Sequence, residues 1–360
     1  MKREYLEFLK SPSAGAPSKP PQSALQLLGW QPFFAQQIDI EDLAETPPVR
    51  VTEVHRNGLQ VVGEDIDLLI PPGPEATVGD WLLLNREFPA RSQVLERKSL
   101  IQRRAAGHGR NVQLIAANID TAFIVSSCNA DFNVARLERY VALAMEAEVA
   151  PVIVLTKADL TSEEQDYVSN AQEISDSTPV ICLDARGDQP QIELASWCKP
   201  GQTVAFLGSS GVGKSTLTNA LAGNNEIDTR PIREDDAKGR HTTTRRQLHF
   251  LENGCAVLDT PGMRELQLTD VQSGIANLFS DIEELAGQCK FNDCNHDQEP
   301  GCAVQSALAS EQLDTGRFRR WQKLLAEERF NSETLAQRRS RDKNFGKLIR
   351  QTQKTKNRKT

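Results

Sequence analysis

Gly208-Ser209-Ser210-Gly211-Val212-Gly213-Lys214-Ser215 follows the apolar run Thr203-Val204-Ala205-Phe206-Leu207 and leads into the helix-forming stretch KSTLTNALAG. A strand, a glycine-rich turn and a helix in this order make a phosphate cradle. The glycines let backbone N–H groups turn inward, and the helix N-terminus adds partial positive charge. Lys214 neutralises β- and γ-phosphate oxygens, and the Ser215 hydroxyl ligates Mg²⁺. Around this stretch apolar strands alternate with amphipathic helices. TAFIVSS (121–127), APVIVLTKADL (150–160) and PVICLDA (179–185) read as strands, and RLERYVALAMEAEV (136–149) and SEEQDYVSNAQEI (162–174) read as helices. The alternation implies a parallel sheet covered by helices on both faces, with ligands at the carboxyl ends of the strands.

Three further motifs fall at such ends. Thr156-Lys157-Ala158-Asp159 closes a predicted strand. A carboxylate there accepts from guanine N1–H and N2–H₂ together, which adenine cannot match, while the Lys157 stem covers the base. The usual motif begins with Asn, so Thr156 is expected to lose the amide that braces the neighbouring loop. Asp184-Ala185 after the next strand offers a backbone N–H to guanine O6. The stretch RRQLHFLENGCAVLDTPG (245–262) reads as a hairpin turning at Asn253-Gly254 and ending in Asp259-Thr260-Pro261-Gly262. Asp259 there holds Mg²⁺ through water and the Gly262 amide senses the γ-phosphate. Between phosphate loop and hairpin stands Arg240-His241-Thr242-Thr243-Thr244. One of its threonines completes the Mg²⁺ shell, and Thr243 is favoured. The polar stretch REDDAKGR (233–240) before it suits a loop that orders around a γ-phosphate.

These motifs imply a hydrolase for GTP, with GTP and GDP as ligands and Mg²⁺ as companion ion. Met263 follows the DTPG motif and cannot orient water as a glutamine would, so His241 is the candidate for that task, beside Thr243 and Lys214. Ordinary GTPases run phosphate loop, threonine switch, DxxG and then guanine motif. Here the guanine motif comes first, so the domain reads as circularly permuted, and the switch-bearing hairpin leads on into the C-terminal part. A P-loop ATPase or small-molecule kinase with an accidental TKAD, and a nucleic-acid scaffold with a slow site, are the competing readings; intact Lys214, Ser215 and Asp259 speak against the second.

The chain has 360 residues, 39% hydrophobic and 25% charged, which suits a soluble multidomain protein. No apolar run approaches the roughly 20 residues that span a bilayer, and the N-terminus has charges and no apolar h-region, so a cytoplasmic location without membrane contact is expected. The net charge of −7 argues against a protein that coats nucleic acid, yet residues 338–360 are overwhelmingly basic. Residues 11–22 (SPSAGAPSKPPQ) read as a flexible linker. Short β-like runs from about Val49 to Arg97, VRVTEVH, LQVVG, DLLIP and DWLLLN, suggest a small closed barrel of the oligonucleotide-binding (OB) type. Beyond about Leu268 the pattern turns helical. It is interrupted by Cys289-x4-Cys294-x-His296-x5-Cys302, which offers three thiolates and an imidazole for one closed, structural zinc site. The other four of the seven cysteines read as small hydrophobes.

The expected architecture is thus multidomain: an N-terminal extension over 1–46, an OB-type β-barrel over 47–98, a circularly permuted α/β P-loop GTPase domain over 99–268, and an α-helical zinc-binding domain with a basic tail over 269–360. VGDW (78–81), NADFNVARLERYVALA (129–144), LTKADL (155–160), GSSGVGKST (208–216), GRHTTT (239–244), DTPGMRE (259–265) and the cysteine cluster stand in an order that resembles the ribosome small-subunit-dependent GTPase A family. The likeness runs from about Gly29 to Phe330. It implies a factor that binds the 30S subunit and its 16S rRNA late in maturation, hydrolyses GTP when that subunit stimulates it, and then departs, with a monomer expected. It also implies GTP contacts over 156–159 and 208–216, the latter including Thr216. Zinc would be held by Cys289, Cys294, His296 and Cys302. The departures are Thr156 for asparagine, Asp184 where serine often precedes the alanine, and the Pro-rich extension.

Overall fold

The computed structural model describes residues 22–39, 45–104, 112–223, 246–259 and 270–332. In chain order the elements are α1 (Ala24–Leu27), α2 (Pro32–Ala35), β1 (Pro48–His55), β2 (Gly58–Gly63), β3 (Ile66–Ile70), β4 (Trp81–Leu83), β5 (Gln93–Val94), β6 (Leu100–Arg104), β7 (Val112–Ala117), β8 (Thr121–Ser127), α3 (Val134–Glu146), β9 (Ala150–Thr156), α4 (Glu164–Gln172), β10 (Val180–Cys182), α5 (Gln189–Glu193), β11 (Thr203–Leu207), α6 (Lys214–Ala222), β12 (Arg246–Phe250), β13 (Ala256–Asp259), α7 (Gln272–Leu278), α8 (Ser280–Ala286), α9 (Ala303–Ala309) and α10 (Thr315–Ser332). They form two compact units, Met1–Leu266 and Gln267–Thr360.

The first unit is built on one mixed sheet, in the order β10-β9-β8-β11-β13-β12-β1-β2-β3, with β4 pairing β1 and β5. β10, β9, β8, β11 and β13 run parallel, so their carboxyl ends share one edge. The phosphate-loop strand β11 sits between β8 and β13, although β8, β9 and β10 all precede it in the chain. Strands buried on both faces need continuous apolar runs, and β8 (TAFIVSS) and β11 (TVAFL) are buried throughout. Phe123, Val125, Val154, Val204, Phe206 and Leu217 form part of this core. Helix α3 starts where Asn133 caps it, accepting from the Arg136 amide at 2.9 Å. It buries Leu137, Tyr140, Val141 and Ala144, the spacing of one helical face.

β12 turns back antiparallel to β13 through Asn253 and Gly254, as the sequence predicts, with Gly254 at φ 83°. Its other edge carries β1, with Glu53 opposite Gln247 and Val54 opposite Arg246. The N-terminal β-module therefore adds directly to the strand that follows the threonine-rich stretch. Within that module β1 to β5 pair antiparallel, and the VGDW motif buries Trp81 and Asp80. A separate two-stranded hairpin, β6 with β7, stands between module and parallel strands and is not anticipated by the alternating pattern.

Residues 24–35 belong to this packing. Ser23 and Gln26 form a capping box, and Leu28 and Phe34 are buried with Val62, Trp81, Leu83 and Leu95. Arg50 on β1 is 1% exposed and donates to the Leu28 carbonyl at 2.5 Å, the Asn118 carbonyl at 3.4 Å and the Thr203 hydroxyl at 2.7 Å. Burial lowers its pKa to about 10, against the pull of nearby Asp120. Arg50 thus ties the N-terminal helices and the β-module to the first residue of β11, the strand that delivers the phosphate loop. The second unit is helical, with Val304, Ala307, Phe318, Trp321 and Leu324 buried. No helix among the described residues is long and apolar enough to cross a membrane.

Candidate functional site

The phosphate loop leaves β11 through Gly208, whose φ is 143°; a Cβ there would lie 2.3 Å from the Val125 carbonyl oxygen, so only glycine fits. Gly213, at φ 100°, caps α6 and lets the backbone enter the helix. Between them Val212 is buried as the apolar anchor, while Ser210, Gly211, Ser215 and Thr216 are exposed along the mouth. Lys214 folds over the loop, with Nζ donating to the Gly208 carbonyl at 2.7 Å and also to the Ser209 carbonyl. Such a loop gathers amides, a helix N-terminus and an ammonium at one point, the arrangement that receives phosphate oxygens.

The guanine motif arrives at the same edge. Thr156 ends β9 fully buried, and its hydroxyl donates to the Val212 carbonyl at 2.6 Å. The expected loss of the brace is therefore corrected: the threonine hydroxyl itself ties this motif to the phosphate loop. Lys157 takes a left-handed backbone at φ 60°, and Ala158 and Asp159 begin a single 3₁₀ turn that leaves the Asp159 carboxylate exposed. After β10, Ala185 is buried, and the Asp184 carboxylate accepts from the Arg186 amide at 2.9 Å, shaping the turn. Asp259 closes β13, paired in register with Gln247. His241, Thr243 and Gly262 lie outside the described residues, as do Thr242 and Thr244.

One contact escapes the motif reading. Arg136 Nη1 donates to the Ser209 hydroxyl at 2.8 Å, linking α3 to the phosphate loop. Arg136 stands within NADFNVARLERYVALA, a stretch read from the sequence as a helix and as part of the family resemblance, with no role given to the arginine.

In the helical unit Cys289, Cys294, His296 and Cys302 place one ligand atom each within 4.8 Å of one another, a cluster that could hold a metal ion. Sγ of Cys289 lies 3.8 Å from Sγ of Cys302, and Nδ1 of His296 lies 3.6 Å and 3.5 Å from those two sulfurs. The intervening loop is tightly organised. The Glu299 carboxylate accepts from the amides of Asn295, Asp297 and Gln298, and these bonds hold its pKa down to about 2. Gln305 donates its side-chain amide to the His296 carbonyl, and the imidazole packs 5.7 Å from the Trp321 ring. Of the remaining cysteines, Cys128, Cys198 and Cys255 are buried, and burial pushes the Cys128 thiol up to about 12.

A family model described as RsgA GTPase matches residues 94–269. A Vibrio parahaemolyticus protein named small ribosomal subunit biogenesis GTPase RsgA 2 is 49% identical over 329 residues, covering 91% of this chain and 92% of that one. The chain belongs to the RsgA GTPase family. RsgA members are GTP hydrolases, and this chain is one of them. The Mesorhizobium japonicum small ribosomal subunit biogenesis GTPase RsgA is also 49% identical, over 85% of this chain and 90% of its own. Among solved structures, YjeQ from Thermotoga maritima superposes with TM-score 0.59 at 26% identity, over 78% of this chain and 97% of YjeQ. YloQ, described as a circularly permuted GTPase, gives TM-score 0.55 at 24% identity, over 80% of this chain and 96% of YloQ. The strand order follows the same permutation: the guanine-motif strands come first in the chain yet flank the phosphate-loop strand on one side.

Proposed function

We propose that this RsgA member acts in late maturation of the small ribosomal subunit, binding the 30S particle and its 16S rRNA in the GTP state and leaving when the subunit stimulates hydrolysis. The observation that carries this reading is the near-full-length identity to relatives named for small-subunit biogenesis. GTP is held by residues 208–216, with Thr156, Lys157, Ala158, Asp159 and Ala185 around the base. Asp259 would hold Mg²⁺ through water and the Gly262 amide would sense the γ-phosphate, Ser215 and Thr243 would ligate Mg²⁺, and His241 would orient the attacking water. Mg²⁺ supplies charge neutralisation for the transferred phosphoryl group.

The β1 to β5 module is read as an OB-type barrel over 47–98 that contacts rRNA, followed in the chain by a GTPase domain over 99–268 and a zinc-binding domain over 269–360. The pairing of β1 with β12 supports a direct route from nucleotide state to that module. Zinc suits the cysteine cluster by its spacing. Four-coordinate zinc with Zn–S near 2.3 Å puts sulfurs about 3.8 Å apart and sulfur to nitrogen about 3.6 Å apart, matching the observed separations. The protein is taken to work as a cytoplasmic monomer.

GTP turnover with and without purified 30S subunits tests the reading. Strong stimulation is expected, and equal rates in both would overturn the ribosomal role while leaving the hydrolase intact.

A further inference from the structure

Two cationic side chains hold Ser209, and only one of them belongs to the phosphate-loop motif. Lys214 donates to the Ser209 carbonyl, and Arg136 donates to its hydroxyl at 2.8 Å. The arginine is presented from a fixed platform. Its own amide is capped by Asn133 at 2.9 Å, and the preceding turn is tied by Asn129, which accepts from the Asp131 amide and the Ser127 hydroxyl, both at 2.9 Å. Phe132 in that turn packs edge-on against Tyr167.

The Arg136 side chain is exposed, and among the described residues its guanidinium makes this one hydrogen bond and pairs with no carboxylate. A guanidinium carries five donors in a planar fork that matches phosphate oxygens, so the donors not spent on Ser209 are available to an anion. Phosphoryl transfer spreads negative charge over the γ-phosphate, and an arginine supplied in cis is one way to stabilise it.

We propose that Arg136 is a second cation of the triphosphate site, steered by Ser209 onto the γ-phosphate of bound GTP. In the step it serves, a water oxygen bonds to the γ-phosphorus and the bridging oxygen leaves with the electron pair on GDP. The proton lost by water passes to solvent. The inference rests on the phosphate-loop reading given above.

Single-turnover GTP hydrolysis and the affinities for GDP and GTPγS, measured on full-length Arg136→Ala, Arg136→Lys and Lys214→Ala variants, test it. Arg136→Ala is expected to slow hydrolysis on the order of 100-fold and to weaken GTPγS while leaving GDP affinity unchanged, with Arg136→Lys in between. Unchanged hydrolysis in Arg136→Ala overturns the inference, and so does an equal loss of GDP and GTPγS, which would make Arg136 a brace of the loop alone. Lys214→Ala separates the two levels. If it binds both nucleotides normally the phosphate-loop reading itself fails, whereas if it loses them while Arg136→Ala behaves as wild type, only the role of Arg136 fails.

Discussion

The Thr156 hydroxyl donates to the Val212 carbonyl oxygen at 2.6 Å, joining the turn after β9 to the glycine-rich loop after β11, two strands that are separated in the sheet by β8. A second carbonyl, that of Ser126, lies 3.2 Å away. One hydroxyl has one proton, so the shorter bond to Val212 is the main one. Removing it leaves a buried carbonyl unpaired and frees the loop to shift. Thr156→Val, which keeps the shape and removes the hydroxyl, should weaken GDP and GTP alike by about 1 kcal/mol, roughly fivefold, in a fluorescent-nucleotide titration. Unchanged affinity for both would mean that the loop does not need this tie.

Asp159 stands at the exposed tip of the turn after β9. In the proposed site its carboxylate accepts from two guanine N–H groups. Asp159→Asn replaces an acceptor oxygen by a donor NH₂, which clashes with the guanine 2-amino group and suits the 2-oxo group of xanthine. Loss of a charged hydrogen bond costs about 3 kcal/mol, roughly 100-fold. GTP hydrolysis by the variant should fall by that factor at low nucleotide, and XTP should restore turnover. A variant that hydrolyses GTP normally and ignores XTP would remove Asp159 from base recognition.

The parts of this fold that are legible in the sequence are those with a local signature. The run from Thr203 to Ser215 spells strand, turn and helix within one window, and Asn253-Gly254 announces the hairpin of β12 and β13. The cysteine spacing likewise brings Cys289, Cys294, His296 and Cys302 together. What escapes is long-range and polar. The pairing of Val54 with Arg246 joins strands far apart in the chain, and nothing in β1 (PVRVTEVH) marks which edge it will take. Arg50 looks like an ordinary surface arginine until Leu28, Asn118 and Thr203 close around it. Arg136 stands inside the stretch 129–144 that carries the family resemblance, yet nothing there marks its contact, because a single side chain reaching a hydroxyl in another element leaves no pattern. Thr156 departs from its motif yet keeps the contact, since the tie needs a donor and not a particular side chain.

The cysteine cluster should behave as a folding element of the helical unit. That unit draws its four ligands from a loop and from the cap of α9, where Cys302 accepts from the Gln305 amide at 3.4 Å. Metal binding and folding are then one event. Chelation under mild denaturant should release one equivalent of zinc, measured by atomic absorption, and expose Trp321 as a red-shifted fluorescence, because its ring packs on His296. Cys302→Ser should reproduce this without chelator. Retention of native Trp321 emission after complete metal removal would argue that the helices hold the loop unaided.

Asp80 and Arg97 give the N-terminal module a charge pair whose energetics depend on pH. Arg97 Nε lies 2.7 Å from the carboxylate, with the arginine side chain 23% exposed and the aspartate fully covered. Burial raises the Asp80 pKa above the usual carboxylate value, while Arg97 and the Thr77 amide, at 2.7 Å, oppose the rise. A carboxyl whose folded pKa exceeds its unfolded one favours the folded state when protonated, and that advantage is lost as pH rises through the folded pKa. Arg97→Ala removes the opposing cation and raises the folded pKa further. At neutral pH the variant must ionise an unpaired buried carboxylate, at a cost of about 2 kcal/mol, less than for a wholly buried pair because Arg97 is partly in water. As pH falls toward the ordinary carboxylate pKa, about 4, protonation of Asp80 relieves the penalty. Urea unfolding of both proteins at the two pH values should therefore show a deficit for Arg97→Ala that shrinks on acidification; a deficit that grows instead would mean that Asp80 remains charged through contacts other than Arg97.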